Sequence, residues 1–458
     1  MQSIGIDIGG THIRAARVDA MGAILARGSA QSASDPAVVL DRCLDLIRQV
    51  NGPDVRGIGI GIPGQVIAAS RTVLSGGYVD LSGFDFAARV GAVTGLPVVI
   101  ENDATMALLG EVACGAAKGA ANVVMLTIGT GIGGAIVEQG QVLRGAGTAG
   151  QLGHIVVDPD GLRCVCGRIG CVETTSSGTA FRLHLARFGL PATTRAQDLL
   201  ARTDDTARAV LTAWARPLRQ AIDSLTTVCN PDLVVLGGGA GAGAVAALAL
   251  FPPAKSWFIA PVVAAQLGDN AGVIGAAIAA LPKPKRVIMV NGVPASGKSS
   301  VAEAVSAATG WPVLRLDTIK DPFLHALAPV DRLFNRTLGR ASYAAIFDIL
   351  RDAPAGTTAI IDAWFGFQPV ETLTAGLSCA GITDIAEIWC HAPPETIGAR
   401  YAARINGRTA GHPGADYVPE LIALATKAQP MAIGPLHRID TTAPLDLQPL
   451  LNWLHQPQ

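Results

Sequence analysis

The feature that most constrains the fold of this chain is a glycine-rich loop in its C-terminal half. The segment Gly292-Val-Pro-Ala-Ser-Gly-Lys-Ser299 follows the apolar run Val287–Asn291 and precedes a helical pattern from Ser300. A GxxxxGK[S/T] loop between a strand and a helix binds phosphates through its backbone amides and its lysine. We therefore predict an ATP and Mg2+ site on an α/β sheet with parallel strands, with Lys298 as a catalytic cation. Its binding residues would be Gly292, Gly297, Lys298, Ser299 and Ser300.

The length of the chain indicates more than one domain, because its 458 residues exceed the ~150 that one domain typically uses. The segment Leu281–Arg286 carries two prolines and three cations and precedes the strand of the glycine-rich loop, so we predict that it is a linker. Strand and helix patterns alternate on both sides of it, which favours α/β architecture throughout. We predict one domain at residues 1–282 and a second at 283–458.

Composition argues against nucleic-acid and membrane partners. The formal net charge is -1, which leaves no electrostatic footprint for nucleic acid or for an anionic membrane. The richest apolar stretch, Gly239–Leu250, is too short to cross a bilayer, and the N-terminus has no signal-peptide pattern. We expect a cytoplasmic protein.

Three of the eight cysteines form one tight cluster, Cys164, Cys166 and Cys171. Glycines between them permit a tight knuckle, and His154 precedes them by ten residues. Three thiolates and one imidazole are a tetrahedral set that suits zinc, and they leave no open position for catalysis. We predict a structural zinc site; the alternative is that these cysteines pack as small apolar residues.

Three further glycine loops follow apolar strand patterns in the first half. The first is Asp7-Ile-Gly-Gly-Thr11, at a predicted hairpin tip, the second is Gly129–Gly134, and the third is Gly237–Gly239. Glycines let a backbone approach phosphates closely, and Asp7 could hold Mg2+ through water. An ordinary hairpin turn is the alternative for the first loop. The predicted nucleotide-binding residues are Asp7, Gly9, Gly10, Thr11, Gly129, Thr130, Gly131, Gly237 and Gly238.

The segment Glu101-Asn-Asp-Ala104 follows the apolar run Leu96–Ile100. Carboxylates at the carboxyl end of a strand lie where α/β sheets bind ligands. Asp103 could accept the proton of an attacking hydroxyl group, and Asn102 could hydrogen-bond a sugar ring. A helix N-cap explains the same residue types equally well.

Taken in order, these motifs resemble the ROK family of bacterial sugar kinases and related repressors. The resemblance covers about residues 1–282 and rests on Asp7–Thr11, Gly61-Ile-Pro-Gly64, Glu101–Ala104, Gly129–Gly134, Gly150-Gln-Leu-Gly-His154, CxCGxxGCxE at Cys164–Glu173 and Gly237–Gly239. It implies an actin-like, two-lobed ATPase fold that requires ATP and Mg2+, and it favours a homodimer.

The resemblance also implies roles for individual residues. Asp103 would be the catalytic base, and the sugar would be bound by Gly64, Asn102, Gln151, His154 and Glu173, with His154 ligating zinc through its other nitrogen. One position departs from the family pattern, because Gln151 stands where the family usually has Glu. Glutamine loses a charge-assisted hydrogen bond to a sugar hydroxyl, so we expect weaker sugar binding or an altered sugar preference. The repressor branch of the family needs a DNA-binding domain before Asp7, where only six residues stand, so we expect a kinase and not a repressor.

Candidate residues of the second domain are less distinctive. Asp317 follows a predicted strand, Val313–Leu316, and could act as a base, while Asp362 ends the strand Thr358–Ile361 and could support Mg2+. Turn or cap roles explain both equally well. Arg404 and Arg408 could close over ATP as a lid, or could lie on a solvated helix face. The domain resembles small P-loop kinases of the gluconate kinase and chloramphenicol phosphotransferase types.

The sequence therefore favours a bifunctional kinase. Its first domain would phosphorylate a hexose or N-acetylhexosamine, and its second would phosphorylate another small molecule. The alternative is a sensor in which sugar binding to the first domain regulates an ATPase in the second.

Overall fold

The computed structural model describes residues 1–76, 79–253, 255–327, 329–407 and 412–455. The chain divides into two compact units, unit 1 at Met1–Leu281 and unit 2 at Pro282–Gln458. Arg408, one of the two predicted lid arginines, lies outside the described residues. Among the described residues, no helix combines the length and the apolar character that a membrane crossing needs.

Unit 1 contains twelve strands and nine α-helices among its described residues. The strands are β1 (Gln2–Ile8), β2 (His12–Asp19), β3 (Ile24–Gln31), β4 (Val55–Ile62), β5 (Gly64–Ile67), β6 (Thr72–Gly76), β7 (Val98–Asn102), β8 (Val123–Ile128), β9 (Ile132–Glu138), β10 (Gln141–Val142), β11 (Leu233–Gly237) and β12 (Val262–Ala264). The helices are α1 (Pro36–Val50), α2 (Phe86–Thr94), α3 (Asp103–Cys114), α4 (Val172–Ser176), α5 (Gly178–Arg187), α6 (Ala196–Leu200), α7 (Asp205–Cys229), α8 (Gly241–Leu248) and α9 (Ala271–Ala280).

Two five-stranded sheets of matching design define two lobes in unit 1. The first has the order β3-β2-β1-β4-β7 and the second the order β10-β9-β8-β11-β12. In each sheet a three-stranded antiparallel meander is extended by two parallel strands. The glycine loops at Gly9 and Gly129 are therefore equivalent, since each joins the first two strands of its meander.

Helix α9 packs against the first sheet on one side and against α3 on the other. Glycines make this approach possible, because an added Cβ at Gly5 or Gly59 would overlap carbonyl oxygens of α9. A Cβ at Gly275 would likewise overlap the carbonyl oxygen of Met106 in α3. The start of α3 is thus held in place by direct backbone packing.

Unit 2 is a single parallel sheet with helices on both faces. Its elements are β13 (Lys285–Asn291), α10 (Lys298–Thr309), β14 (Val313–Arg315), α11 (Leu316–Leu327), α12 (Arg332–Asp352), β15 (Thr358–Ala363), α13 (Val370–Cys379), β16 (Ile382–His391), α14 (Pro394–Ala402), α15 (Val418–Lys427), β17 (Leu436–Asp440) and α16 (Leu447–His455). The strand order is β14-β15-β13-β16-β17, and every neighbouring pair is parallel. The prediction of a parallel sheet around the P-loop is confirmed.

Three predicted segments have different ends in the structure. The linker was predicted to reach Arg286, but β13 already starts at Lys285, whose Nζ donates to the carbonyl oxygens of Leu350 and Arg351 at 2.8 and 2.6 Å. Leu316 begins α11 instead of ending β14. The sequence pattern predicts a helix from Pro394 to Arg404, but this helix ends at Ala402.

The glycine contact between α3 and α9 gives a stability prediction. Gly275→Ala is expected to lower the free energy of unfolding by about 1–3 kcal/mol, because the new methyl group must push the helices apart. The matched control is Gly339→Ala in α12, where a Cβ would meet nothing within 4 Å, and where alanine should stabilise the helix by up to about 1 kcal/mol. Urea unfolding followed by circular dichroism measures both. An unchanged midpoint for Gly275→Ala would contradict tight packing here.

Candidate active sites and metal cluster

Asn102 organises the first candidate site. Its Oδ1 accepts hydrogen bonds from the backbone amides of Ala104 and Thr105 at 3.0 and 3.2 Å, so it caps α3. Its Nδ2 donates to the Gly64 carbonyl oxygen at 2.9 Å and to Asp103 Oδ1 at 3.0 Å. The helix N-cap, which was the alternative interpretation of the segment Glu101–Ala104, is therefore present and is formed by Asn102. The same side chain also orients the carboxylate of Asp103.

Asp103 and Asp7 form an acidic pair with shifted proton affinities. Burial, aided by the negative charge of Asp7, raises the pKa of Asp103 to about 7. Burial also raises the pKa of Asp7 to about 6, against the opposing effect of Arg14, which lies 3.8 Å away. Gly272 of α9 makes room for Asp7, because an added Cβ there would come within 2.9 Å of its Cγ. A carboxyl group that titrates near neutral pH suits general-base catalysis.

The glycine loops of the second lobe adjoin this pair. An added Cβ at Gly133 would lie 3.1 Å from the Ala104 Cβ, so the β8–β9 hairpin packs against the start of α3. The Thr130 carbonyl oxygen accepts a hydrogen bond from Thr179 Oγ1 at 2.8 Å. Gly238, with φ of 75°, passes close to the Ile128 carbonyl oxygen at the end of β8. The second and third glycine loops are therefore adjacent.

The cysteine cluster comes together as a compact group. One ligand atom from each of His154, Cys164, Cys166 and Cys171 lies within 4.8 Å of the others. His154 Nδ1 is 3.5 Å from Cys164 Sγ, and the sulfur atoms of Cys166 and Cys171 are 3.6 Å apart. Because Nδ1 faces the sulfurs, Nε2 is the nitrogen that remains for another partner.

Glu173 links the cysteine cluster to the glycine hairpin. Its Oε2 accepts a hydrogen bond from the backbone amide of Ile132 at 2.8 Å, and its Oε1 is 3.7 Å from Cys164 Sγ.

Gln151 is exposed, and its side chain makes no hydrogen bond with any residue that the structure describes. Sequence reasoning also missed Arg144, whose Nε donates to the buried carboxylate of Glu101 at 3.0 Å.

The P-loop of unit 2 has the geometry of a phosphate cradle. It turns at Gly292, Ala295 and Gly297 with φ of 157°, 68° and 87°, and α10 starts directly at Lys298. Buried Glu387 supports its base, because its Oε1 accepts from Asn291 Nδ2 at 2.7 Å. Asn291 Oδ1 in turn accepts the Gly292 amide at 2.8 Å.

Two cavities meet at this loop, and Ala295 and Arg404 line both of them. The smaller, of about 640 Å³, is also lined by Gly297, Ser300 and Arg400. The larger, of about 850 Å³, is lined on its P-loop side by Lys298 and Ser299. A loop that holds phosphates between two cavities can separate a nucleotide base from an acceptor.

The predicted carboxylates of unit 2 line the larger cavity. Asp317 lies in the first turn of α11, and its Oδ1 is 3.6 Å from Lys320 Nζ. Asp362 is buried one residue before the end of β15, and its Oδ2 lies 3.6 Å from Arg315 Nε. Lys320 was not predicted. The arginines that α12 contributes were also missed, although their four-residue spacing at 332, 336 and 340 is a readable signal of one helix face.

Comparison with known proteins identifies the class. A family model described as "ROK family" matches residues 3–283, and one described as "AAA domain" matches residues 287–413. The chain belongs to the ROK family. It is an ATP-dependent carbohydrate kinase with the actin-like two-lobed fold in unit 1 and a P-loop kinase-like domain in unit 2, as the sequence predicted.

Individual relatives are similar to unit 1. A glucokinase of Streptomyces coelicolor is 34% identical over 312 residues, which span 62% of this chain and 98% of the relative. An N-acetylmannosamine kinase of Yersinia pseudotuberculosis is 30% identical over 60% of this chain and 97% of its own. A Streptomyces griseus ROK glucokinase, solved with glucose and AMPPNP, superimposes with a TM-score of 0.54 at 32% identity over 61% of this chain and 99% of its own.

The raised pKa of Asp103 predicts a pH-dependent stability effect. With a folded pKa near 7 against 3.8 unfolded, the native state binds the proton more tightly, so ionisation costs stability fully above pH ~7 and not below pH ~4. Asp103→Asn should therefore raise stability at pH 8 by roughly 1–3 kcal/mol, with the gain vanishing near pH 4. Thermal unfolding across this range measures it.

The control for that experiment is Asp41→Asn, which removes one exposed negative charge from α1. It is expected to leave the melting temperature within about 1 °C of the wild type at each pH, as exposed substitutions away from special features usually do. If Asp103→Asn tracked this control at pH 8, the carboxylate of Asp103 would not be destabilised by burial.

Proposed function

We propose that this protein is a bifunctional ATP-dependent phosphotransferase. Unit 1 would transfer the γ-phosphoryl group of ATP to a hydroxyl of a hexose or N-acetylhexosamine. Unit 2 would bind ATP at its P-loop and phosphorylate a second small molecule. The observation that carries the proposal for unit 1 is the Asp103 carboxylate, which Asn102 orients and burial tunes to a pKa of about 7.

In this mechanism Asp103 takes the proton of the sugar hydroxyl as its oxygen attacks the γ-phosphorus. Asn102 cannot reorient freely, because it caps α3 and holds the Gly64 carbonyl, so it keeps the Asp103 carboxylate aimed. The glycine loops would surround the phosphates of ATP. Mg2+ would neutralise phosphate charge when bound, and the carboxylate of Asp7 is a suitable ligand for it or for its waters.

Sugar binding would use three further side chains together with Asp103. His154 would offer Nε2 and Glu173 would offer the lone pairs that the Ile132 amide leaves free. Gln151 would offer an uncharged amide, which favours a weaker or altered hydrogen bond to the sugar than glutamate gives. The comparison with glucokinase and N-acetylmannosamine kinase relatives supports hexose and N-acetylhexosamine as the substrate classes.

The separate roles of the two units can be tested in the full chain. Asp103→Asn is expected to lower sugar-dependent ADP formation at least 100-fold, since it removes the base, whereas Lys298→Ala should leave it within twofold of the wild type. A coupled ADP assay with a panel of hexoses and N-acetylhexosamines measures both. The proposal fails if Lys298→Ala also abolishes sugar-dependent turnover.

A sensor function is the second candidate, and the uncharged Gln151 at the sugar site is the observation that favours it. Calorimetry of sugar binding beside the turnover assay separates the two candidates. Sugar binding without sugar phosphate formation, together with sugar-stimulated ATP hydrolysis that Lys298→Ala removes, would establish the sensor and exclude the kinase activity of unit 1.

The four clustered ligands fit a structural zinc ion. Three thiols and one imidazole nitrogen meet the preference of zinc for sulfur and nitrogen, and no fifth side chain is needed to complete a tetrahedron. The ion would fix the loop that carries His154 and Glu173, and so would position sugar-binding groups without taking part in the chemistry.

Zinc occupancy gives a further prediction. The purified protein should contain about one zinc per chain, and Cys164→Ser should lose most of it because three ligands bind zinc far more weakly than four. Cys43→Ser, a buried cysteine outside the cluster, is the control that should retain the metal. Elemental analysis measures the content. Full zinc content in Cys164→Ser would exclude this site.

A further inference from the structure

The larger cavity of unit 2 is lined by more cations than carboxylates. The described residues that line its volume of about 850 Å³ include seven lysines and arginines but four carboxylates. Three of these cations belong to the P-loop or pair with a carboxylate at short distance. Lys298 belongs to the P-loop, Arg315 donates to Glu303 at 2.7 Å, and Arg332 donates to both oxygens of Glu420 at 2.6 and 2.7 Å.

Three of the remaining cations stand on the neighbouring helices α11 and α12, and we call them the cluster: Lys320, Arg336 and Arg340. Arg336 and Arg340 lie one turn apart on α12. Neither makes a hydrogen bond or a close ion pair with any described residue, although the positive charge of Arg336 acts on Glu420. Lys320 reaches the same cavity from α11, and its side chain is only 9% exposed. Its ammonium group has a long hydrogen bond of 3.5 Å to Asn335 and an ion pair of 3.6 Å with the mostly exposed Asp317.

A buried ammonium group with such weak partners calls for an additional anion, because burial without close pairing is costly. Other lining residues also lack partners. The buried nitrogen atoms Trp364 Nε1 and Gln368 Nε2 have no hydrogen-bond partner among the described residues. The cavity therefore offers several hydrogen-bond donors and three cations without a close carboxylate partner, which together complement a dianion with several acceptor oxygens.

We propose that the acceptor of unit 2 is a sugar that already carries a phosphate monoester. This inference rests on the proposed kinase function of unit 2, and it names the class of its substrate. A phosphate monoester has a charge between -1.5 and -2 and three acceptor oxygens, and arginine binds it through charge-assisted hydrogen bonds. A carboxylate, with one charge, would leave more of the cluster's positive charge uncompensated. Unit 1 makes a product of this phosphorylated class.

The reaction balances with the groups that line the cavity. A free hydroxyl oxygen of the sugar phosphate attacks the γ-phosphorus of ATP, and the bond from that phosphorus to the β,γ-bridging oxygen breaks. ADP leaves with the electron pair. The hydroxyl proton passes to the Asp317 carboxylate, which lies beside Lys320. The products are ADP and a sugar bisphosphate, so unit 2 would act after a reaction that phosphorylates a free sugar.

The test uses the full chain with Asp103→Asn, which silences unit 1, so that the activity measured belongs to unit 2. Hexose 6-phosphates, hexose 1-phosphates, hexonates and free hexoses are offered with ATP and Mg2+, and products are identified by mass spectrometry. We expect a bisphosphate from a hexose phosphate, and loss of its formation in Lys298→Ala. A faster reaction with free hexoses or hexonates overturns this inference but leaves the kinase function of unit 2 standing. No bisphosphate from any hexose phosphate overturns the inference as well.

Variants of the cluster locate the phosphate. In the same background, Arg336→Ala and Arg340→Ala should each raise KM for the hexose phosphate about tenfold with kcat changed less than threefold, because they bind the phosphate that the sugar already carries and not the transferred group. Lys320→Met should raise KM further. The matched control is Arg351→Ala, an exposed arginine of α12 that pairs with Asp348 and does not line the cavity; its KM should stay unchanged.

Inorganic phosphate provides an independent readout. It should inhibit competitively against the hexose phosphate, and Arg336→Ala should weaken this inhibition about tenfold while Arg351→Ala leaves it unchanged. Because both arginines are exposed, their removal is not expected to unfold the chain. If KM and phosphate inhibition are the same in Arg336→Ala, Arg340→Ala and Arg351→Ala, the cluster does not bind the acceptor and the proposal is wrong.

Discussion

The close approach of α9 to backbone on both of its sides is the constraint on which unit 1 depends. Any side chain at Gly5, Gly59 or Gly275 would occupy the position of a carbonyl oxygen. Because α9 holds β1, β4 and α3 together, it also fixes the ends of β1 and α3, where Asp7 and Asp103 stand. The burial of these two carboxylates, which is the main cause of their raised pKa values, follows from a packing arrangement that only glycine permits.

Unit 2 depends on a different device, a buried carboxylate that ties three segments together. Glu387 of β16 accepts hydrogen bonds from Asn291 and from the backbone amides of Met431 and Ala432 at 2.7, 2.9 and 2.7 Å. Both of its oxygens accept, and hydrogen bonds to a carboxylate are stronger than those between neutral groups. Asn291 in turn accepts a hydrogen bond from the amide of Gly292, the first residue of the P-loop. The phosphate cradle is therefore preorganised before a nucleotide binds.

Sequence patterns predicted the elements whose residues carry a local signal. The P-loop, the glycine hairpins and the cysteine cluster were readable because each needs particular residue types at short spacing. The cap by Asn102 was readable as one of two alternatives, and the structure shows that one residue serves both the helix and the Asp103 carboxylate. Groups brought together over long separations were not readable. Arg144 reaches Glu101 across 43 residues, and Lys320 becomes part of a charged cavity only when α11 packs beside α12.

The position of the clustered thiols has a consequence for how the enzyme responds to oxidants. Cys166 is exposed, and its Sγ lies 3.6 Å from that of Cys171 in the loop that carries His154 and Glu173. The cysteines of unit 2 are Cys379 and Cys390, and neither belongs to its P-loop. Oxidation of Cys166 would therefore disturb the loop that is proposed to bind the sugar, whereas oxidation of the exposed Cys379 would leave the P-loop of unit 2 chemically intact. Within one polypeptide, the first phosphorylation would be redox-sensitive and the second redox-tolerant.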